Sequence, residues 1–363
     1  MTSTGIALIV SISCSHGNSF RLVLVAAFKQ TPPSCTVPVV NVMMSTMHKN
    51  PIYENNSSLR VVAYFLVVFS IFFWGITFVC TKHLLIYFSA FEILFIRFVL
   101  AYLFLWPLYP HRLKVSAKEN LLLSLAGLTG VTLYQFTENL ALNLTTASNV
   151  SIIVSICPVF TALTAQIFLK EKHFTPRFFV GTALALLGVV LVSLNGSGHF
   201  NVSPKGDLLA LTSAMCWGFY TLFVTLMNKK GYNIIIITRK IFFYAIVWML
   251  PLLVLGIFSS NPEGISYVEL SATANAERFS SPLNWVLLCF LGFLASGMCF
   301  AAWNKACIIL GTVKISSGLY LIPVVTILFA AIFLKEKLTL MGCLGSLITI
   351  TGLFVSSKNS SGV

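Results

Sequence analysis

Ten apolar stretches of about twenty residues constrain this chain more than any other feature. They lie near 61–80, 89–108, 120–137, 145–169, 177–195, 207–227, 234–258, 283–302, 313–334 and 338–357. A bilayer offers no water to backbone N–H and C=O groups, so a segment that crosses it must satisfy its own hydrogen bonds. Uninterrupted Leu/Ile/Val/Phe runs of this length do so as helices, because barrel strands are about half as long and alternate in polarity. Charged residues make up 9% of the 363 and hydrophobic residues 57%, whereas a soluble domain carries roughly 25% charged residues. The expected fold is an all-α polytopic membrane protein with ten transmembrane helices.

The stretches fall into two matched sets. Phe168-Leu169-Lys170-Glu171-Lys172 returns as Phe333-Leu334-Lys335-Glu336-Lys337, 165 residues later. Pro158 and Pro323 keep that offset, as do Asn139 and Asn304. Trp74-Gly75 is matched by Trp217-Gly218 at an offset of 143, and Arg97 by Arg239 at 142. The change of offset places an insertion of about two dozen residues in the loop at 259–282. Gly181 and Gly188 have the same spacing as Gly345 and Gly352. Seven residues is nearly two helical turns, so each pair lines one face and permits close helix contact.

This register divides the chain into an N-terminal extension (1–58), a first unit (61–196, five spans) and a second unit (207–357, five spans). An odd number of spans leaves the second unit inverted relative to the first. Two inverted five-helix repeats are a recurrent basis for alternating access to a shared central site.

The net charge of +13 has a membrane explanation. With the N-terminus inside, the inner segments hold Lys49, Arg60, Arg112, Lys114, Lys118, Lys170, Lys172, Arg177, Lys229, Lys230, Lys305, Lys314 and Lys358. The outer segments hold Lys82, Lys205, Arg278, Lys335 and Lys337. This asymmetry follows the positive-inside rule and predicts an inner-membrane protein with both termini cytoplasmic. No nucleic-acid partner is expected. In the extension, Ile6–Ile12 and Leu22–Phe28 are too short to span, and Pro, Asn and Ser dominate the rest. Disorder is expected there, or a start set too early, with Met43, Met44 and Met47 as alternatives. The nine cysteines show no metal-ligand spacing and read as small buried residues, so no metal or cofactor is expected.

Polar residues inside apolar spans are costly and mark candidate sites. Arg97, in the second span, either holds a substrate carboxylate or pairs structurally with Glu92 or helix-end carbonyls; Arg239 is its counterpart. Glu138 shares a helix face with Tyr134 and Gln135, and Asn139 adjoins it. The carboxylate either binds a substrate amine or titrates in proton coupling, or it caps a helix ending near Thr137. Pro158 and Pro323 each remove a backbone donor in mid-span, which points to a central site or to a packing kink. Trp74, Tyr134, Trp217, Tyr220 and Tyr320 are candidate cavity walls, or ordinary packing. Glu171 and Glu336 read as helix-end residues and Asp207 as a helix N-terminal charge. All six histidines lie in the tail, loops or span ends, which argues against a histidine proton relay in the core.

In order and duplication, these motifs resemble the EamA branch of the drug/metabolite transporter superfamily over about 61–357. The resemblance implies ten helices, termini inside, and movement of small metabolites, often export of amino acids or related compounds. It also permits uptake or exchange of a host or cytosolic metabolite such as a nucleotide sugar or S-adenosylmethionine. There is no phosphate-binding loop or soluble domain for ATP. A gradient must then supply the energy, with protons a candidate coupling ion. The rival readings are an integral-membrane enzyme, for which the spans offer few acid or base groups, and a non-transporting scaffold. A monomer or homodimer is expected.

Overall fold

The structure is a computed structural model that describes residues 8–14, 20–26, 57–171, 174–193, 203–261, 267–333 and 340–357. In the extension, where composition predicts disorder, Leu8–Cys14 (β1) and Phe20–Ala26 (β2) pair antiparallel, with Leu8 opposite Ala26. Both strands are rich in Val, Ile and Leu, which suit an extended chain too short to span. This hairpin departs from an all-α chain. Met43, Met44 and Met47 lie outside the described residues.

From residue 57 onward the described elements are helical. They are α1 (Ser57–Leu84), α2 (Ala90–Leu108), α3 (117–144), α4 (Ala147–Leu169), α5 (Pro176–Ser193), α6 (Pro204–Asn228), α7 (Ile234–Ile257), α8 (Ala272–Ser280), α9 (Pro282–Leu310), α10 (Thr312–Phe333) and α11 (Leu340–Ser357). Seven of these (α1, α2, α4, α6, α7, α9 and α10) are long and apolar enough to cross a membrane. The other three expected spans fall on α3, α5 and α11. The polar residues Lys118, Glu119, Asn120, Gln135, Glu138, Asn139 and Asn143 make α3 less apolar. The residues flanking α5 and α11 lie partly outside the described set.

Side chains fix where the helices begin. Ser89 and Glu92 form a reciprocal capping box at the start of α2, as Ser116 and Glu119 do for α3. Four irregular segments then interrupt the rods, two in each unit. In α3, Leu128–Leu133 is a π-turn, and in α9, Phe290–Met298 is another. The 165-residue offset carries 128–133 onto 293–298, inside the second π segment. In α4 the helix pauses at Ser155-Ile156, and Pro158 opens the segment Cys157–Leu169. In α10 a 3-10 turn over Ser317–Leu321 precedes Ile322–Phe333, with Pro323 as its second residue. A proline lacks the N–H that a continuous helix needs, so both breaks fall where the sequence placed them.

The helices also pack in matched pairs. A Cβ on Gly75 (α1) would lie 2.5 Å from Val325 Cβ (α10), and one on Gly218 (α6) 2.8 Å from Phe160 Cβ (α4). Phe160 and Val325 are themselves related by the offset of 165. At both crossings a threonine hydroxyl donates to the glycine carbonyl: Thr326 to Gly75 at 2.9 Å and Thr164 to Gly218 at 3.0 Å. Elsewhere α5 packs along α11, where Gly181 faces Ser356 and Gly352 faces Ala185.

Candidate functional site

The two Trp-Gly motifs bring their indoles together. Trp74 from α1 meets Trp217 from α6 with centroids 5.5 Å apart and planes at 85°. Around this pair stand Tyr134 (5.1 Å from Trp217), Trp303 (5.2 Å from Trp74) and Phe300 (5.5 Å from Trp74). A small cavity of about 20 Å³ adjoins them, lined by Trp74, Thr77, Arg97, Tyr134, Gln135, Glu138, Cys157, Trp217 and Phe300, among others. Its volume suffices for little more than one water.

Arg97 is almost fully buried. Its Nε donates to Ser296 Oγ at 2.5 Å and its Nη1 to Gln135 Oε1 at 2.6 Å, while the guanidinium lies 5.5 Å from the centre of the Phe98 ring. A charge removed from water needs such partners. Glu92 is not one of them. Five residues apart on α2, Glu92 and Arg97 point to different faces, and Glu92 pairs instead with Arg278 of α8 through two contacts of 2.8 Å. Sequence reasoning missed Ser296, which sits within the π-turn of α9. Gln135, two residues beyond the π-turn of α3, was visible as a polar neighbour of Glu138 but not as the grip on Arg97.

Glu138 is buried in the interior of α3, which continues to Leu144, so it does not cap a helix ending near Thr137. It lies beside the Tyr134 hydroxyl and within electrostatic reach of Arg97, yet no ion pair joins Glu138 to Arg97. Its Oε2 is buried without a hydrogen-bond partner. The same is true of the indole Nε1 of Trp217 and of Trp303.

The remaining sequence candidates divide by position. Pro158 and Pro323 adjoin Cys157 and Ile322, which line the cavity. Tyr220 and Asn304 form a neighbouring cluster: Asn304 Nδ2 donates to the Tyr220 hydroxyl at 2.9 Å and to Thr238 Oγ1 at 3.2 Å. Asn139 turns away, its Nδ2 donating to Ala90 O at 3.0 Å. Tyr320 donates to Thr182 Oγ1 at 3.3 Å, toward α5. Arg239 does not approach the cavity; its guanidinium binds the carbonyls of Tyr109 and His111 just beyond α2. Helix-end carbonyls are thus the partners of Arg239, not of Arg97.

Two vestibules flank the cavity at opposite ends of α6. One, of about 1240 Å³, is lined by residues including Tyr87, Glu92, Lys205, Tyr267, Glu269 and Arg278. The other, of about 370 Å³, is lined by residues including Thr161, Thr164, Glu171, Thr225, Lys229 and Thr312. In the first, the Ser271 N–H and the Tyr267 hydroxyl, at 2.7 and 3.0 Å, hold the Glu269 carboxyl below its usual range. Glu171 and Glu336 were both read as helix-end residues. Glu171 follows Lys170, whose left-handed backbone (φ 57°) closes α4, and Glu336 lies outside the described residues.

A helical bundle with buried charged groups around a small central cavity, between two vestibules, is the architecture of a membrane transporter. The chain belongs to the EamA-like transporter family, whose pattern it matches twice, over residues 61–194 and 204–358. It is 29% identical to an "Uncharacterized transporter" of Archaeoglobus fulgidus, over 80% of this chain and 96% of that protein. It is 26% identical to "Uncharacterized transporter YyaM" of Bacillus subtilis, over 80% of this chain and 92% of the relative. A "Probable terminal-alkyne amino-acid exporter" of Streptantibioticus cattleyicolor is 25% identical over 69% of this chain and 77% of its own length. A solved crystal structure superposes with a TM-score of 0.60 at 16% identity, covering 84% of this chain and 97% of the other. That likeness concerns the fold.

Proposed function

We propose that this protein is a secondary transporter of small organic metabolites, not an enzyme. In this reading it has ten spans in two inverted five-helix repeats and works by alternating access. The observation that carries the reading is the meeting of Trp74 with its counterpart Trp217 beside a small cavity that holds Arg97 and Glu138, with a vestibule at each end of α6. Reciprocal packing of α1 on α10 and α6 on α4 supports it, since each central helix of one unit is held by a broken helix of the other. Such crossings let the units tilt about a shared centre and expose it to one side at a time.

The charge distribution supports placement in the inner membrane with both termini cytoplasmic. The vestibule at Glu92 and Arg278 is then outer and the vestibule at Glu171 and Lys229 inner. Export of amino acids or related compounds is the reading favoured for the cargo, supported by the printed name of the Streptantibioticus relative. Arg97, Tyr134, Glu138, Trp74 and Trp217 form the substrate pathway, and Glu138 is the proton-coupling residue.

The decisive experiment is flux in proteoliposomes against a metabolite panel, with and without a pH gradient. Flux of at least one compound is expected. Catalysis in the absence of any flux overturns transport. Glu138→Gln is expected to abolish gradient-driven flux while sparing exchange, and unchanged driven flux removes Glu138 from coupling.

A further inference from the structure

Arg97 and Glu138 place one fixed positive charge and one titratable carboxylate on the wall of the same cavity without pairing directly. Two of the three Arg97 nitrogens are committed to Ser296 and Gln135, which fixes the guanidinium plane. The unmet polar atoms on that wall are of both senses: Glu138 Oε2 accepts and Trp217 Nε1 donates. Apart from Thr77, whose hydroxyl donates to Trp74 O at 2.6 Å, the rest is mostly apolar or aromatic, including Trp74, Phe78, Val154, Phe300, Leu319 and Ile322.

Charge balance decides what such a wall accepts, because an uncompensated charge is strongly unfavourable where water is excluded. Without a load, an ionised Glu138 cancels Arg97. An added cation leaves the site positive. An added carboxylate leaves it negative unless Glu138 also takes a proton. A zwitterion changes nothing. The other titratable groups facing Glu138, Tyr134 on its own helix and Cys157 on α4, are a phenol and a thiol that carry no charge in this sum.

We infer that the central cavity, which at about 20 Å³ must widen as the units move before it admits more than a water, takes small carboxylates with an apolar or aromatic body in electrically neutral loads. A zwitterion enters alone, a monocarboxylate enters with one proton delivered to Glu138, and organic cations are rejected. In the monocarboxylate load the substrate oxygens accept hydrogen bonds from Arg97, Trp217 Nε1 and the newly protonated Glu138. The inference rests on the reading of this cavity as the transport site.

Three probes that share a phenyl body test it: phenylalanine (zwitterion), hydrocinnamate (monoanion) and phenethylamine (cation). Binding to the full-length protein in lipid nanodiscs is followed by indole fluorescence and by proton uptake from weakly buffered, mildly alkaline solution, in which the unloaded Glu138 is ionised. Phenylalanine is expected to bind with no proton uptake, and hydrocinnamate with about one proton per molecule, the uptake that charge balance requires. Phenethylamine is expected to bind at least about tenfold more weakly. Glu138→Gln, an isostere of the protonated form, is expected to bind hydrocinnamate without proton uptake and to lose phenylalanine affinity about tenfold or more.

Equal binding of phenethylamine, hydrocinnamate binding without proton uptake by the unaltered protein, or binding of none of the three overturns the inference. Flux of the same probes into vesicles separates the two readings. Binding as expected without any flux removes the transport reading and leaves the site chemistry. Flux that carries phenethylamine equally removes the inference and leaves transport.

Discussion

Near Lys205 the larger vestibule is braced by Glu92 and Arg278, while near Lys229, at the far end of α6, the smaller one is bridged by Glu171 and Lys229. Both are carboxylate–cation pairs, but their settings differ. The side chains of Arg278 and Glu92 are 9% and 6% exposed and lie 2.8 Å apart; those of Lys229 and Glu171 are 58% and 41% exposed and 3.8 Å apart. The buried pair is embedded as well. Glu92 also accepts from the N–H groups of Ser89 and Glu269, and Arg278 donates to Asn275 and rests over the Phe88 ring at 4.7 Å. The difference follows from sequence. Arg278 is supplied by the loop segment present in the second unit and lacking in the first, so only one end gained a rigid brace.

Breaking the brace gives the largest expected effect. Arg278→Ala strands the Glu92 carboxylate in a buried site, and removal of one partner of a buried pair costs about 3–5 kcal/mol. A drop in the thermal midpoint of the purified protein, with loss of protection around α8, checks it. Overfilling the two matched crossings comes next. Gly75→Ala and Gly218→Ala each drive a Cβ into a neighbouring helix, and overpacking costs about 1–3 kcal/mol. Similar losses at the two positions sustain the correspondence of the units; a loss at one alone breaks it.

Lys229→Ala is expected to cost about 1 kcal/mol or less, as for exposed pairs. Added salt should weaken this pair in the unaltered protein while leaving the buried brace unmoved. Melting curves at low and high ionic strength compare the two ends directly. The smallest effect is pH-dependent. Hydrogen bonds from Ser271 and Tyr267 hold the Glu269 carboxyl low, so its contribution is fully present above the ordinary carboxylate range of about 4.3 and is lost as pH falls through the lowered value. A fall in hydrogen-exchange protection at 267–280 in acid, relative to the intrinsic rate at each pH and absent in Glu269→Gln, tests it.

Much of this was legible because polar residues are conspicuous among apolar ones. Arg97, Glu138, the prolines and the Trp-Gly motifs stood out for that reason, and offsets alone aligned Trp74 with Trp217. Their partners were not legible. Ser296 lies 199 residues from Arg97 and Arg278 186 residues from Glu92. Helical periodicity says nothing across such separations. The π-turns were hidden too: widening a helix needs a fitted neighbour, such as the Tyr220 ring against Gly130, rather than a local signature. The single arginine in an otherwise acidic loop was the one available hint to the brace. Arg239 misled because matching by offset gave it the place of Arg97 but could not give it the same surroundings.

The seam between α5 and α11 has a mechanical consequence. A Cβ on Gly181 would lie 2.3 Å from Ser356 N, and one on Gly352 2.3 Å from Ala185 N, so main chain rests on main chain. Helices this close gain van der Waals contact along the whole seam, and any side chain larger than hydrogen at Gly181 or Gly352 would force them apart. Since α5 is the last helix of the first unit and α11 the last of the second, the seam clasps the two units at their ends and resists prying them apart.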